Sequence, residues 1–391
     1  MHSFGKFRFC LPLAAVLAAV LAAGIASCAT VSLAEQTNAP PPKDATKLKI
    51  ETFAKGLSNP WGLQFLPGGR LLVTERPGRL RIVSKDGKLS APIAGVPIVA
   101  AVGQGGLLDV ALAPDFATSG MIYVSFAEPR EGRKHATSVA RGKLALEGEG
   151  GRMEGTEVIF REQPAYASAM HFGSRLVFAK DGTLFVTLGE GGDGAQAQRP
   201  GVHLGKLVRV KPDGSAPDDN PRLAGWLPEI WSMGHRNMQG AAIEPATGRL
   251  WTIEHGARGG DELNRPEKGK NYGWPIITHG IDYSGAKIGI GNAREGLEQP
   301  IYYWVPSIAT SGLAFYTGDL FPEWKGNLFV GGLNGTHIER LVLNGDKVVA
   351  AEKLLVDLHQ RIRDVRSGPD GALWVLTDST DGKILRLTPG S

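Results

Sequence analysis

Residues 232–240 read SMGHRNMQG: a histidine, an arginine and an asparagine stand side by side behind a glycine, and an apolar run, AAI, follows at 241–243. Three strong hydrogen-bonding side chains at the mouth of a buried strand point to a ligand site rather than to core packing. Other polar residues hold comparable places: Gln104 in VGQGGLL, His171 ahead of FGSRLVF, Glu190 closing LFVTLGE, Asn334 after LFVGGL, and Arg361 and Arg363 in QRIRDVRSG. Guanidinium groups grip carboxylates through paired donors, and a neutral imidazole near pH 7 is a suitable proton acceptor. With Arg236, Arg361 and Arg363, one histidine and few unpaired acids, the set suits a planar polyanion. A second stretch, EHGARGGDELNRPEKGKNYGWP at 254–275, offers glycines at 256, 259 and 260, which let backbone carbonyls turn inward, and the carboxylates of Asp261 and Glu262. Oxygen-only ligands on flexible backbone suit Ca²⁺ rather than zinc. The EF-hand spacing is absent, and an ordinary acidic loop explains the same residues as well.

These residues are scattered along the chain, so a repeated element must gather them. Six hairpins recur: GLQFLPGGRLLVTE from Gly62, LLDVALAPDF and MIYVSF from Leu107, RLVFAKDGTLFVTLGE from Arg175, AAIEPATGRLWTIEHG from Ala241, LAFYTGDLFPEWKGNLFVGGL from Leu313, and DVRSGPDGALWVLTD from Asp364. Each alternates with period 2 around a turn rich in Gly, Pro or Asp. Six copies over the mature chain give about 60 residues per unit, somewhat more than a propeller blade needs, and the surplus is assigned to connections at 196–227 and 258–299. Radial repetition leaves no open sheet edge, so the expected fold is an all-β, six-bladed β-propeller of four-stranded antiparallel blades. A β-sandwich would not explain six similar hairpins. In such a ring the starts of first strands and the ends of second strands share one face around the central channel, and the polar residues above all lie there.

The 53 glycines among 391 residues fit a turn-rich β fold, and 42% apolar residues suffice for a sizeable core. The net charge of +4 comes without any basic run, which argues against nucleic acid as a partner. Lys6 and Arg8 precede an apolar stretch at 11–25 that reads as an export signal, too short for a confident membrane span. One cleavage reading makes 1–34 a signal peptide; the other, the lipoprotein-like IASC at 25–28, leaves Cys28 lipidated. Either way residues 35–47 read as a Pro-rich tether, 48–391 as the propeller, and the location as periplasmic or secreted. Cys10 and Cys28 are the only cysteines, so the mature domain has no disulfide, thiol chemistry or c-type haem motif.

Taken in order, GQGGLLDVAL, HFGSRLVF, DGTLFVTLGE, GHRN with EHGARGGDELN, NYGWP and QRIRDVRSGPDG resemble the soluble aldose sugar dehydrogenases of the glucose/sorbosone dehydrogenase family, over about residues 48–389. The resemblance implies a propeller that depends on pyrroloquinoline quinone (PQQ) and calcium and oxidises aldoses at C1 to the lactone. It implies His171 as the base, Gln104, Arg236 and Asn237 as donors to the quinone, Arg236 also stabilising charge there, and Arg361 and Arg363 as the grip on its carboxylates. The carbonyls of Gly256 and Ala257 would hold the active-site Ca²⁺, and Glu262 and Tyr272 fall where a second, structural calcium is bound. The chain departs from the family at three places. Asn334 stands for a lysine against PQQ, Glu190 for an aspartate partner of the base, and Ala257 for a proline. With no haem in the chain, electrons must leave to an external acceptor: a quinone, a dye or a cytochrome. Two other functions fit a propeller, a calcium-dependent lactonase or hydrolase and a non-catalytic binding module.

Overall fold

The computed structural model describes residues 35–36, 39–43 and 45–390; the expected signal, Cys28 and both cleavage sites lie outside them. Six sheets succeed one another along the chain, antiparallel except for Glu35–Gln36, which adds to the fourth parallel to Tyr302–Trp304. The first blade holds Pro60–Phe65, Leu71–Glu75 and Arg79–Val83; the second Leu107–Leu112, Met121–Arg130, Lys134–Glu147 and Gly150–Arg161. The third holds Leu176–Phe178, Leu184–Thr187, Lys206–Val210 and Ile230–Met233; the fourth Met238–Ile243, Leu250–Glu254, Asp261–Asn264 and Tyr302–Trp304. The fifth holds Thr310–Phe315, Leu328–Gly332, Ile338–Asn344 and Lys347–Leu354. In the sixth, Ile362–Ser367, Leu373–Thr377 and Gly382–Pro389 are completed by Leu48–Leu57, so the two ends of the chain close the ring within one sheet.

Each expected hairpin is the inner pair of one blade, and each innermost strand touches that of the next blade around the ring. Three details differ from the expectation, the first being the fifth, parallel strand Glu35–Gln36 on the fourth blade. The first blade has three strands, its fourth position reduced to a single bridge between Val83 and Leu89. The connections assigned as surplus contain the third strands of blades three and four, Lys206–Val210 and Asp261–Asn264, within them.

Apolar burial explains the closure. Six clusters lie in the six gaps between neighbouring blades; that between the fifth and sixth packs Trp324, Phe329 and Tyr316 against Leu373, Val375 and Leu387. A blade alone would expose both faces, so the hydrophobic effect favours only the complete ring. Residues from the expected tether lie along the outside: Pro40 accepts a backbone hydrogen bond from Ala351, and Thr46 bonds Glu352 and Trp324. Among the described residues no helix is long and apolar enough to cross a membrane.

Candidate active site

Five of the six inner hairpins carry a register shift next to the end that opens on the channel face: at 60–63, 107–110, 238–240, 310–313 and 362–364. Such bulges twist a strand end and re-aim its side chains. The inner hairpin of the third blade has none, and the segment before Leu176 serves instead, where His171, Gly173 and Ser174 take φ of 60°, 60° and 87°. A left-handed histidine is held there by its surroundings. Its N–H donates to Gln104 Oε1 at 2.8 Å, and its carbonyl lies against Gly189, where a Cβ would run into it. The ring is fixed by Nδ1 and Glu190 Oε2 at 2.7 Å. With the carboxylate accepting, Nδ1 carries the proton, and Nε2 is left without a partner among the described residues as the basic lone pair.

Next to it a cavity of about 280 Å³ is lined by Trp61, Arg76, Gln104, Leu108, Phe172, Gly173, Gln239, His255, Ala309, Leu333, Arg361, Arg363 and Asp378. Three guanidiniums share the wall with one carboxylate, and two of them bond it. Asp378 Oδ2 accepts from Arg361 at 2.9 and 3.1 Å and from Arg363 at 3.2 Å. Burial alone would raise Asp378, but Arg363, Arg361 and Arg76 hold it below the ordinary carboxylate value. Arg363 is drawn below its own ordinary value, first by burial and then by its fellow guanidiniums. The Nε atoms of Arg76 and Arg363 are buried without a partner.

The question posed by SMGHRNMQG has a divided answer. His235 is wholly buried, bonded to Glu254 Oε1 and Ser232 Oγ at 2.9 Å each and stacked on Tyr272, so it is a structural anchor. Arg236 receives Glu254 on its N–H at 2.6 Å and sends its guanidinium over the Trp274 ring, with Nη1 3.5 Å from the His255 carbonyl and Nε unpartnered. Asn237 accepts from the Gly173 N–H at 3.0 Å and keeps a buried Nδ2 unpartnered. His255 donates Nε2–H to Thr310 O at 2.6 Å; burial, with Arg236 and His171 nearby, lowers it to about 3, so it stays neutral.

Beyond the cavity, the 256–261 turn is tied down by Asp261. Its carboxylate accepts from Gly256 N–H (2.8 Å), Ser307 Oγ (2.8 and 2.9 Å) and Ile308 N–H (2.9 Å), and burial raises it. Burial, and then the neighbouring Glu254, hold Glu262 well above the usual range. The Tyr272 hydroxyl is engaged elsewhere, donating to Arg265 O and accepting from Glu267 N–H. Asn334 is exposed and lines an adjacent groove with Ala257, rather than the cavity. Among the described residues no three His, Cys, Asp or Glu side chains gather as a metal site. Trp61, Arg76, His255 and Asp378 stand at the hairpin mouths where the sequence places the site, although the family resemblance gives them no role; Gln239, inside the strand Met238–Ile243, was not singled out.

The chain matches the glucose/sorbosone dehydrogenase family profile over residues 57–386. It is 47% identical over 347 residues to the aldose sugar dehydrogenase YliI of Escherichia coli (strain K12), covering 88% of this chain and 93% of that protein. A crystal structure of a glucose dehydrogenase superposes with a TM-score of 0.85 at 52% identity, covering 88% of this chain and all of that one. The PQQ-bound form of an aldose sugar dehydrogenase from Streptomyces coelicolor gives 0.75 at 31%, covering 89% and 99%. The propeller, the arginine-lined channel mouth and these likenesses agree: the chain belongs to the glucose/sorbosone dehydrogenase family and is a sugar oxidoreductase.

Proposed function

We propose that the protein oxidises aldoses at C1 to the lactone, with PQQ as its resident cofactor, Ca²⁺ beside it and His171 as the base. The observation that carries this reading is the charge of the cavity: Arg76, Arg361 and Arg363 against Asp378, the only carboxylate on its wall among the described residues. Buried donors without partners, Asn237 Nδ2 and the Nε atoms of Arg76, Arg236 and Arg363, suit a flat polycarboxylate with carbonyl oxygens. When bound, PQQ supplies the hydride acceptor that no side chain offers, and Ca²⁺ polarises it.

The chain's own residues do the rest. His171 Nε2 takes the proton of the C1 hydroxyl, and Glu190 keeps the ring oriented and balances the imidazolium. Gln104 fixes the His171 backbone, and Arg236 places positive charge where negative charge builds. Arg361 and Arg363, held on Asp378, would grip the cofactor's carboxylates. Arg76, a cation already in the cavity, supplies the charge that Asn334 does not. The Gly256 and Ala257 carbonyls would hold the active-site Ca²⁺ on a turn stiffened by Asp261. A cation beside Glu262 would relieve its buried charge, and Tyr272 would join only through its backbone. An export signal would send the enzyme to the periplasm or beyond: cleavage after 34 frees it, whereas cleavage before Cys28 leaves a lipid there as a membrane tie. A lactonase needs several carboxylates around a metal, which the cavity wall does not offer.

The test is reconstitution. The mature chain is purified from a host lacking PQQ, and PQQ is added with and without Ca²⁺ while dye reduction is followed with a panel of aldoses. Turnover that needs both additions is expected. PQQ uptake without sugar oxidation, or no uptake, overturns the reading and favours a binding module.

A further inference from the structure

Outside the cavity, where the second and third blades meet, lie buried polar groups that this chemistry leaves unused. Glu162 follows the strand Gly150–Arg161 and is 1% exposed, and Lys206 opens the strand Lys206–Val210, wholly buried. The Glu162 carboxyl accepts the Thr137 N–H on Oε2 at 2.8 Å, and its Oε1 is buried without a partner. Lys206 Nζ donates to Gln196 O at 2.9 Å and to Leu204 O at 2.7 Å. The charged and titratable groups facing Glu162 are Lys206 from the third blade, Arg130 from the second and Tyr166 from the segment leading to His171, with Glu190 beyond Tyr166. Burial raises Glu162 to about 8 and lowers Lys206 to about 7, so the carboxyl is uncharged at neutral pH.

Short links join this group to both members of the His171–Glu190 pair. Thr137 gives its N–H to the Glu162 carboxyl and takes the Glu162 N–H on its carbonyl at 2.9 Å; its Oγ1 donates to Phe172 O at 2.7 Å, one residue from His171. The Tyr166 ring lies 5.8 Å from the Phe172 ring, and a Cβ on Gly191, one residue from Glu190, would sit 3.0 Å from it. Lys206 O accepts from the Leu188 N–H at 3.0 Å while its Nζ holds Gln196, so the loop carrying Glu190 is braced at both ends. We propose that Glu162 is a positioning residue for the base: its uncharged side chain, seated on Thr137, keeps the His171–Glu190 pair in line for proton transfer. This rests on the reading under Proposed function in taking His171 as the base. A carboxylate needs more donors than the Thr137 N–H supplies. Ionised, Glu162 draws water or the Tyr166 hydroxyl to Oε1, and Phe172 and Gly191 move with them. Small displacements of a catalytic group are costly in rate.

The test follows dye reduction with glucose across neutral to alkaline pH in reconstituted wild type, Glu162→Gln and Thr137→Val. It is joined by the ring ¹⁵N signals of His171 in the mature chain as purified, assigned against His171→Ala. In wild type, kcat is expected to fall about tenfold between pH 7 and pH 9, following the protonated fraction of a carboxyl near 8, and the His171 signals to move over the same range. Glu162→Gln, whose amide stands in for the uncharged acid, is expected to keep kcat within about twofold at pH 7 and to lose both the fall and the movement. Thr137→Val is expected to lower kcat about tenfold at pH 7, with the KM for glucose and the Kd for PQQ within about twofold. A fall that persists in Glu162→Gln, as it would if Lys206 were the titrating group, overturns the inference, as does unchanged kcat in Thr137→Val. If wild type reduces no dye with any sugar, the dehydrogenase reading has failed. The His171 signals then decide: movement in wild type alone supports the link to Glu162, and the same behaviour in both proteins overturns it.

Discussion

His171 is held at three points: its N–H by Gln104, its carbonyl against Gly189 and its ring by Glu190. Each contact makes a different prediction. His171→Ala would remove the proposed base and is expected to lower kcat about 10³-fold, the scale of general-base catalysis, while PQQ affinity by fluorescence titration stays within about twofold. A matching loss of cofactor affinity would make His171 a binding residue instead. Gly189→Ala pushes a methyl into the His171 carbonyl and should cost about 10-fold or more in kcat, because small displacements of a catalytic group are expensive; unchanged kcat would show that the loop gives way freely. The candidate residues were legible because each stands where an alternating strand begins or ends. Which way each points was not. Asn334 turns to the neighbouring groove and Asp378 into the cavity, although both follow a second strand. That choice depends on bulges and left-handed residues, which alternation does not encode.

At the scale of strands, a buried charge lattice crosses the channel beneath the cavity. Arg175 meets Asp109 at 3.0 Å and Asp364 at 3.3 Å, Arg366 meets Asp364 at 2.9 Å, and the Leu63 and Leu176 N–H groups complete the two aspartates. It ties together inner strands of four blades. Removing one partner leaves unpaired buried charge, so Asp364→Ala is expected to cost about 3–5 kcal/mol in urea unfolding. A cost under about 1 kcal/mol would mean that water replaces the carboxylate. Glu162 is a second buried group. Burial pushes it up to about 8, against Thr137, Lys206 and Arg130. The folded carboxyl stays protonated where the unfolded one, near 4.5, has ionised, so its contribution to stability falls as pH rises from about 4.5 to about 8. Glu162→Gln removes that slope, with a gain over wild type growing to on the order of 4 kcal/mol at pH 8. An equal gain at pH 5 and pH 8 would contradict it. The inner hairpins were readable from period 2 and turn residues. The third strands Lys206–Val210 and Asp261–Asn264 were absorbed into connections, because they are short and flanked by Gly, Pro and polar residues.

For the whole molecule, closure is the feature that sequence patterning does not encode. Leu48–Leu57 pairs with Gly382–Pro389 across more than 300 residues, and nothing local in either strand names its partner. A chain beginning at Asn59 would leave the sixth blade short and the gap to the first exposed. It is expected to melt at least about 10 °C lower by calorimetry, and an unchanged melting temperature would show that the strand is ornamental. The six-fold ring itself followed from counting hairpins, since only radial closure removes their edges. That ring gathers His171, Arg236, Arg361 and Arg363 onto one face, which is how residues almost 200 positions apart would act on one substrate under the proposed function. The most direct measurement of that claim is the reduction of dye by the PQQ- and Ca²⁺-loaded enzyme with glucose and with glucose deuterated at C1. Wild type should slow clearly with the deuterated sugar and release the lactone, and His171→Ala should be nearly silent with both. Equal rates for the two sugars together with full activity in His171→Ala would contradict C1 oxidation by this site.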